Sequence, residues 1–258
     1  MGPISHNFLQ HALRIPKESP QMLVFETPSI AYVNSGLSCD TFNVIFIKDE
    51  NIPFDALKEV IDYYRSRQLE YCIWLTDDKL HSSRQINSPN LNQHFQKLSI
   101  ERQNQEVGMV LDLNQYHHIS SAQHQNIKVA QSKADLMACA NVIAENWTPA
   151  DQNVIAYYQQ TAESYLASDI QFLAYYEDGK AVSSVEVFPT NEKTVGLYGF
   201  ATLEAYRKKG IGSALFSYAL NFAKAKGYEK IVLQASEDGI GIYEKMGFKR
   251  ENIFFEYA

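Results

Sequence analysis

Thr202-Leu-Glu-Ala-Tyr-Arg-Lys-Lys-Gly-Ile-Gly-Ser213 is the most informative segment of this chain. An apolar strand-like run, Val195-Gly-Leu-Tyr-Gly-Phe-Ala-Thr202, leads into it. A helical pattern follows, with Leu215, Ala219, Phe222 and Ala223 on one face and Gly227 as the C-terminal stop. Gly210 and Gly212 let backbone N–H groups approach a ligand with no Cβ in the way. The N–H groups of a first helical turn, together with the helix dipole, make a site for anions. Arg207, Lys208 and Lys209 add positive charge at the same end, where cations disfavour the helix and a bound anion relieves the conflict. The alternative is a glycine-rich turn that merely joins strand to helix. The loop is not Gly-x-Gly-x-x-Gly and has no Gly-Lys-Ser/Thr tail, which disfavours dinucleotide-binding and nucleotide-hydrolysing loops.

Upstream, the run Asn114-Gln-Tyr-His-His-Ile-Ser-Ser-Ala-Gln-His-Gln-Asn126 is polar and without hydrophobic period, and it reads as a linker. It separates an expected N-terminal domain over 1–120 from a C-terminal domain over 126–258. In the second domain a strand starts at Ile127 and helices cover Ala134 to Glu145 and Asn153 to Ala167. Phe172–Tyr176 and Ala181–Phe188 then flank Asp178-Gly179, a hairpin signal. Helix and strand alternate from there to Phe254-Phe-Glu-Tyr257. The first domain offers strands at Asn43–Ile47, Tyr71–Leu75 and Val107–Leu113. Its helices fall at Pro53–Arg67 and around Leu91, Phe95 and Leu98. The fold class is therefore α/β with a mixed sheet.

Composition narrows the function classes. The chain has 258 residues, 45% of them hydrophobic and 21% charged, enough for a sizeable core. No run of eighteen apolar residues is present, so no membrane-spanning helix is expected. The first residues lack a basic start and an apolar run, and His6 stands where a myristoylation signal carries Ser or Thr. Cys39, Cys72 and Cys139 are far apart and odd in number, which suits a reducing cytoplasm better than disulfides or zinc. A net charge of -7 argues against nucleic acid as a partner. The seven histidines show no metal spacing; His117, His118 and His124 fall in the expected linker.

Residues 126–258 resemble the GNAT superfamily of acetyl-CoA-dependent N-acyltransferases. The resemblance is carried by three segments in the family's order: Gly199-Phe-Ala-Thr202, Tyr206-Arg-Lys-Lys-Gly-Ile-Gly-Ser213, and Leu233-Gln-Ala-Ser-Glu-Asp-Gly-Ile-Gly-Ile-Tyr-Glu-Lys-Met-Gly-Phe248. It implies a GNAT-like fold, with acetyl-CoA as co-substrate. Arg207, Lys208, Lys209, Gly210, Ile211, Gly212 and Ser213 then hold the diphosphate, and Phe200, Ala201 and Thr202 offer backbone groups to the pantetheine arm. The tyrosine of Tyr-x-x-x-Gly-Phe, here Tyr243, falls near the CoA sulfur. Ser236 stands where the family often has Asn. The N-terminal half lacks both motifs and resembles, by order of elements, the degenerate leading half of tandem members. Two similar halves follow, the C-terminal one carrying the cofactor site, in a monomer or homodimer.

The implied reaction moves an acetyl group directly to a primary amine of a small molecule or peptide. A lysine-like amine costs roughly 4–5 kcal/mol to deprotonate at neutral pH, so a general base lowers the barrier. Tyr243 is the candidate acid for the leaving thiolate. Glu186, inside the apolar strand Val185-Glu-Val187, is the candidate base. Alternation aims it away from its valine neighbours, at a cleft or at a solvated face. Cys139, on the apolar side of a helix, reads as a buried small residue. A non-catalytic CoA-binding module and a purely structural tandem domain are the rival readings.

Overall fold

In the computed structural model residues 1–78 and 88–258 are described, and His81 lies outside them. The elements begin with α1 (Pro3–Glu18), β1 (Leu23–Glu26), β2 (Ile30–Asn34), β3 (Val44–Ile47), α2 (Phe54–Ser66) and β4 (Cys72–Asp77). Next come α3 (Pro89–Leu98), β5 (Arg102–Asp112), β6 (Ile127–Val129), α4 (Lys133–Ala144), α5 (Gln152–Ala167), β7 (Gln171–Glu177) and β8 (Lys180–Pro189). The chain ends through β9 (Thr194–Thr202), α6 (Ile211–Ala225), β10 (Lys230–Ala235), α7 (Glu237–Lys245) and β11 (Lys249–Tyr257). Two compact units result: Met1–Met109 with Gln234–Ala258, and Val110–Leu233.

In the first unit the strands lie in the order β1-β2-β3-β4-β11-β5. Strand alternation sorts its side chains onto two faces. Ile45, Ile47, Ile73, Leu75, Phe255 and Tyr257 join Leu57, Ile61, Tyr64, Leu91 and Phe95 of α2 and α3 in one core. The intervening Phe46, Trp74 and Phe254 meet Phe8 of α1, at ring centroid distances of 5.9, 5.3 and 5.3 Å. β11 pairs antiparallel with β4, Phe255 opposite Leu75.

In the second unit β6, β7, β8 and β9 form an antiparallel meander, and β10 lies parallel to β9. The expected β7–β8 hairpin is present. Asp178 and Gly179 both take positive φ, 49° and 82°, as a type I′ turn requires.

The packing does not divide at the polar stretch 114–126. That stretch belongs to the second unit and is tied to α6. Tyr116 Oη donates to Asn221 Oδ1 (3.1 Å), Asn221 Nδ2 to Ile119 O (2.7 Å), and Lys224 Nζ to Tyr116 O (2.6 Å). Polar partners hold it, so it lacks the apolar period that marks packed segments. The expected domain of 126–258 also gives up its last strand, because β11 is hydrogen-bonded into the first unit's sheet. All three cysteines are free and buried, with Cys139 pushed up to about 12 by burial.

Candidate functional site

The glycine loop takes the form its sequence demands. Gly210, with φ 80°, occupies the N-cap of α6 in the left-handed region that a side chain resists. No side chain caps this helix and its first turn holds no acid. Arg207, Lys208, Lys209 and Gly210 are exposed. Lys208 also takes a positive φ, 61°, which turns the chain back toward the helix. A Cβ on Gly212 would stand 3.1 Å from Thr202 Oγ1 and 3.5 Å from the Phe200 ring. The end of β9 and the first turn of α6 thus approach each other through Gly212.

Side chains brace the loop from outside. Arg207 Nε donates to Thr202 O (2.9 Å), and its Nη2 donates to Asn146 Oδ1 (2.7 Å). Arg207 therefore holds the loop's shape as well as adding charge, and Asn146 is a member that sequence gave no signal for. Ser183 Oγ donates to Ala201 O (2.7 Å) and lies 2.8 Å from Thr202 Oγ1, which fixes the end of β9. Lys209 Nζ sits 5.0 Å over the Tyr206 ring. His117 and His118 are exposed as expected. His124 is not: its Nε2 lies 3.0 Å from Ser217 Oγ and its ring packs on Tyr218.

Glu186 is neither on a solvated face nor in an open cleft. It is 1% exposed. Every residue of β8 from Ala181 to Pro189 is buried, so alternation moves a side chain from one covered face to another. Opposite Glu186 stand Phe172 and Tyr198, and Phe172 touches Tyr158 and Tyr165 of α5. Burial and then the Glu186 charge hold the phenols of Tyr157, Tyr158 and Tyr165 well above their ordinary value. Nothing in the sequence marked these three tyrosines out from the 16 present.

Ser236 and Tyr243 belong to the first unit. Ser236 is exposed at the N-cap of α7 and makes no side-chain cap. The ring of Tyr243 meets Phe248 at 5.8 Å, and burial followed by the charge of Glu106 raises its phenol. Glu106 lies on β5. Burial, with Glu256 of β11 beside it, pushes its carboxyl up to about 7. Burial and then Asp40 raise Glu256 in turn, against a hydrogen bond from the Asn104 side chain. Sequence reading missed Glu106, which stands in a polar run, Arg102-Gln-Asn-Gln-Glu106, with no motif of its own. Among the described residues no group of three His, Cys, Asp or Glu is arranged to hold a metal, and no helix is long and apolar enough to cross a membrane.

Known proteins resemble this chain in sequence and in fold. The family model described as the acetyltransferase (GNAT) family matches residues 135–248, a stretch that takes in the glycine loop and the Tyr243–Phe248 segment. A probable N-acetyltransferase family 8 member 5 of Mus musculus is 30% identical over 103 residues, which is 37% of this chain and 45% of that protein. N-acetyltransferase 8B of Homo sapiens is 32% identical over 79 residues, 28% of this chain and 35% of that protein. The chain thus spans less than half the length of these relatives. A GCN5-related N-acetyltransferase from Kribbella flavida superposes with a TM-score of 0.68 at 14% identity, over 100% of this chain and 95% of that one. A tandem GNAT protein from the clavulanic acid biosynthesis pathway gives 0.59 at 12% identity, over 93% and 84%. At these identities the structural likeness is one of fold. Residues 135–248 thus match the acetyltransferase (GNAT) family model, and the fold is like that of solved GNAT proteins.

Proposed function

We propose that this protein is an acyltransferase that moves an acetyl group from acetyl-CoA to a primary amine of a small molecule or peptide. The observation that carries the reading is the N-terminus of α6: uncapped, free of acids, opened by a left-handed Gly210 and preceded by three exposed basic residues. Such a terminus suits a diphosphate, through backbone amides and helix dipole together. Gly212 lets the end of β9 lie close against that first turn, since a Cβ there would stand 3.1 Å from Thr202 Oγ1.

Each residue has a stated part. Lys208 and Lys209 neutralise phosphate charge, while Arg207 keeps the loop in register with β9. Phe200, Ala201 and Thr202 present backbone groups to the pantetheine arm, and Ser213 offers a further donor in the first helical turn. Ser236 stands at the matching position of the distal segment. Tyr243 supplies the proton that the leaving sulfur needs; its raised pKa keeps the phenol protonated at neutral pH. That part rests on the motif and the family match. A general base lowers the cost of taking the amine's proton, and Glu186, a carboxylate in an apolar strand, is the candidate.

Isothermal titration with acetyl-CoA tests the loop. At a hundredfold excess over its dissociation constant the ligand stabilises the protein by about 2.7 kcal/mol. A screen of amines read by released CoA thiol then finds the acceptor. No heat and no thermal shift with acetyl-CoA would remove the reading.

A further inference from the structure

Trp147, in the loop between α4 and α5, is 56% exposed. An indole left in water is a large, rigid, flat apolar surface of the kind that proteins present to a partner. The backbone around it is firmly held. Trp147 N and Asp151 N both donate to Ala144 O (3.2 and 3.1 Å), and Asp151 Oδ1 caps α5 by accepting from Asn153 N (2.8 Å). Asn146 Nδ2 donates to Val142 O (2.7 Å), and its Oδ1 accepts from Arg207 Nη2 (2.7 Å). The residue before the indole is thus bonded to the first basic residue of the glycine loop, and neighbouring Cα atoms are only about 3.8 Å apart.

The course of α4 fixes which side of that loop the indole occupies. Cys139 O accepts from Ser184 Oγ (3.4 Å). One turn on, Ile143 Cδ1 would stand 2.9 Å from a Cβ on Gly199. Asn146 then reaches Arg207, whose Nε holds Thr202 O, the last carbonyl of β9. Beside it Glu145 pairs with Lys180, the first residue of β8 (3.1 Å). Trp147 therefore stands at the rim of the sheet, where β9 gives way to the loop. In the binding mode above, pantetheine runs inward from Thr202 toward Phe200, and the acceptor amine meets the thioester further in. The nucleoside arm of CoA has to leave the diphosphate in the other direction, outward along the rim.

We propose that Trp147 is the seat of the CoA adenine, with its indole stacked on the purine. The proposal rests on the acetyl-CoA reading above and places the arm of the ligand which that reading leaves unplaced. Stacking of a base on an aromatic side chain needs no hydrogen-bond partner, and a single such contact changes affinity measurably. Asn146 and Arg207 join the seat to the glycine loop, so adenine and diphosphate are held at a fixed spacing. The loop by itself would take any anion of the right size. The indole beside it selects those that carry a base.

The test titrates wild type, Trp147→Ala and Trp147→Phe by calorimetry with three probes. These are acetyl-CoA, adenosine 3′,5′-bisphosphate, and S-acetyl-4′-phosphopantetheine, which lacks the nucleoside. Trp147→Ala should weaken acetyl-CoA and the bisphosphate about tenfold each and leave S-acetyl-4′-phosphopantetheine unchanged. Trp147→Phe should recover part of the loss. Fluorescence gives a second readout, because the only other tryptophan, Trp74, is buried at 9% exposure. Adenosine 3′,5′-bisphosphate should quench the emission of wild type and leave that of Trp147→Phe unaltered. Thermal midpoints without ligand should match in all three proteins, since the ring is exposed. Unchanged acetyl-CoA affinity in Trp147→Ala, or equal weakening of the probe that lacks adenine, would overturn the proposal. Failure of wild type to bind acetyl-CoA at all would instead remove the functional reading, and this proposal with it.

Discussion

At the scale of single residues, two glycines carry predictions for opposite reasons. Gly212 lies where a ligand's charge is expected, so Gly212→Glu puts a carboxylate at the end of α6 that calls for an anion. Acetyl-CoA binding should vanish in calorimetry while the circular dichroism stays that of wild type; retained affinity would show that the diphosphate sits elsewhere. Gly108 lies where no ligand is needed. A Cβ there would come within 1.7 Å of Asn252 Oδ1. Asn252 cannot easily retreat, because its Nδ2 donates to Ser5 Oγ (2.8 Å) and to Asp78 Oδ1 (3.3 Å). Gly108→Ala should therefore cost about 1–3 kcal/mol in urea denaturation. A wild-type midpoint would show that the Asn252 network yields.

At the scale of elements, β5 and β11 set a pH dependence. Glu106 has a folded value of about 7 against an ordinary 4.5, so the folded chain holds a proton that the unfolded chain has released between those values. Stability is full below about 4.5 and declines as pH rises toward 7, since the charged carboxylate is disfavoured by burial and by Glu256. Glu106→Gln should remove that slope. It should leave stability near wild type at pH 4 and raise it by on the order of 2–3 kcal/mol above pH 8. Equal thermal midpoints for both proteins at pH 8 would contradict this. Sequence made most elements legible: α2, α3, α4, α5 and α6 through their apolar faces, β7 and β8 through Asp178-Gly179. It did not reveal α1, whose buried face includes Ser5 and Asn7 and so breaks the apolar period. Nor did it reveal β1 and β2, of which β1 is four residues long and largely exposed. The glycine loop was readable because its chemistry is local. Glu106 was not, because its partners Glu256 and Tyr243 are about 140–150 residues away and only the fold brings them near.

At the scale of the whole molecule, strand pairing over long separations leaves no local trace in the sequence. β4 at Cys72–Asp77 takes β11 at Lys249–Tyr257 as its neighbour. Removing 249–258 should therefore damage the first unit, which loses Phe254, Phe255 and Tyr257 from its two cores. The second unit is one unbroken segment, Val110–Leu233. Limited proteolysis of the truncated protein should digest residues before 110 first and leave a fragment close to 110–233. Equal resistance of both units would show that β11 adds little.

That returning strand also orders events during synthesis. A nascent chain that has just left Leu233 behind holds everything the second unit requires, whereas the sheet made earlier still has a vacant lane beside β4. Two bare strand edges face each other across that lane until β11 arrives, and bare edges recruit foreign strands. The interval of greatest exposure to aggregation thus runs from the synthesis of Leu233 to that of Tyr257. A ribosomal pause between those two points would prolong it.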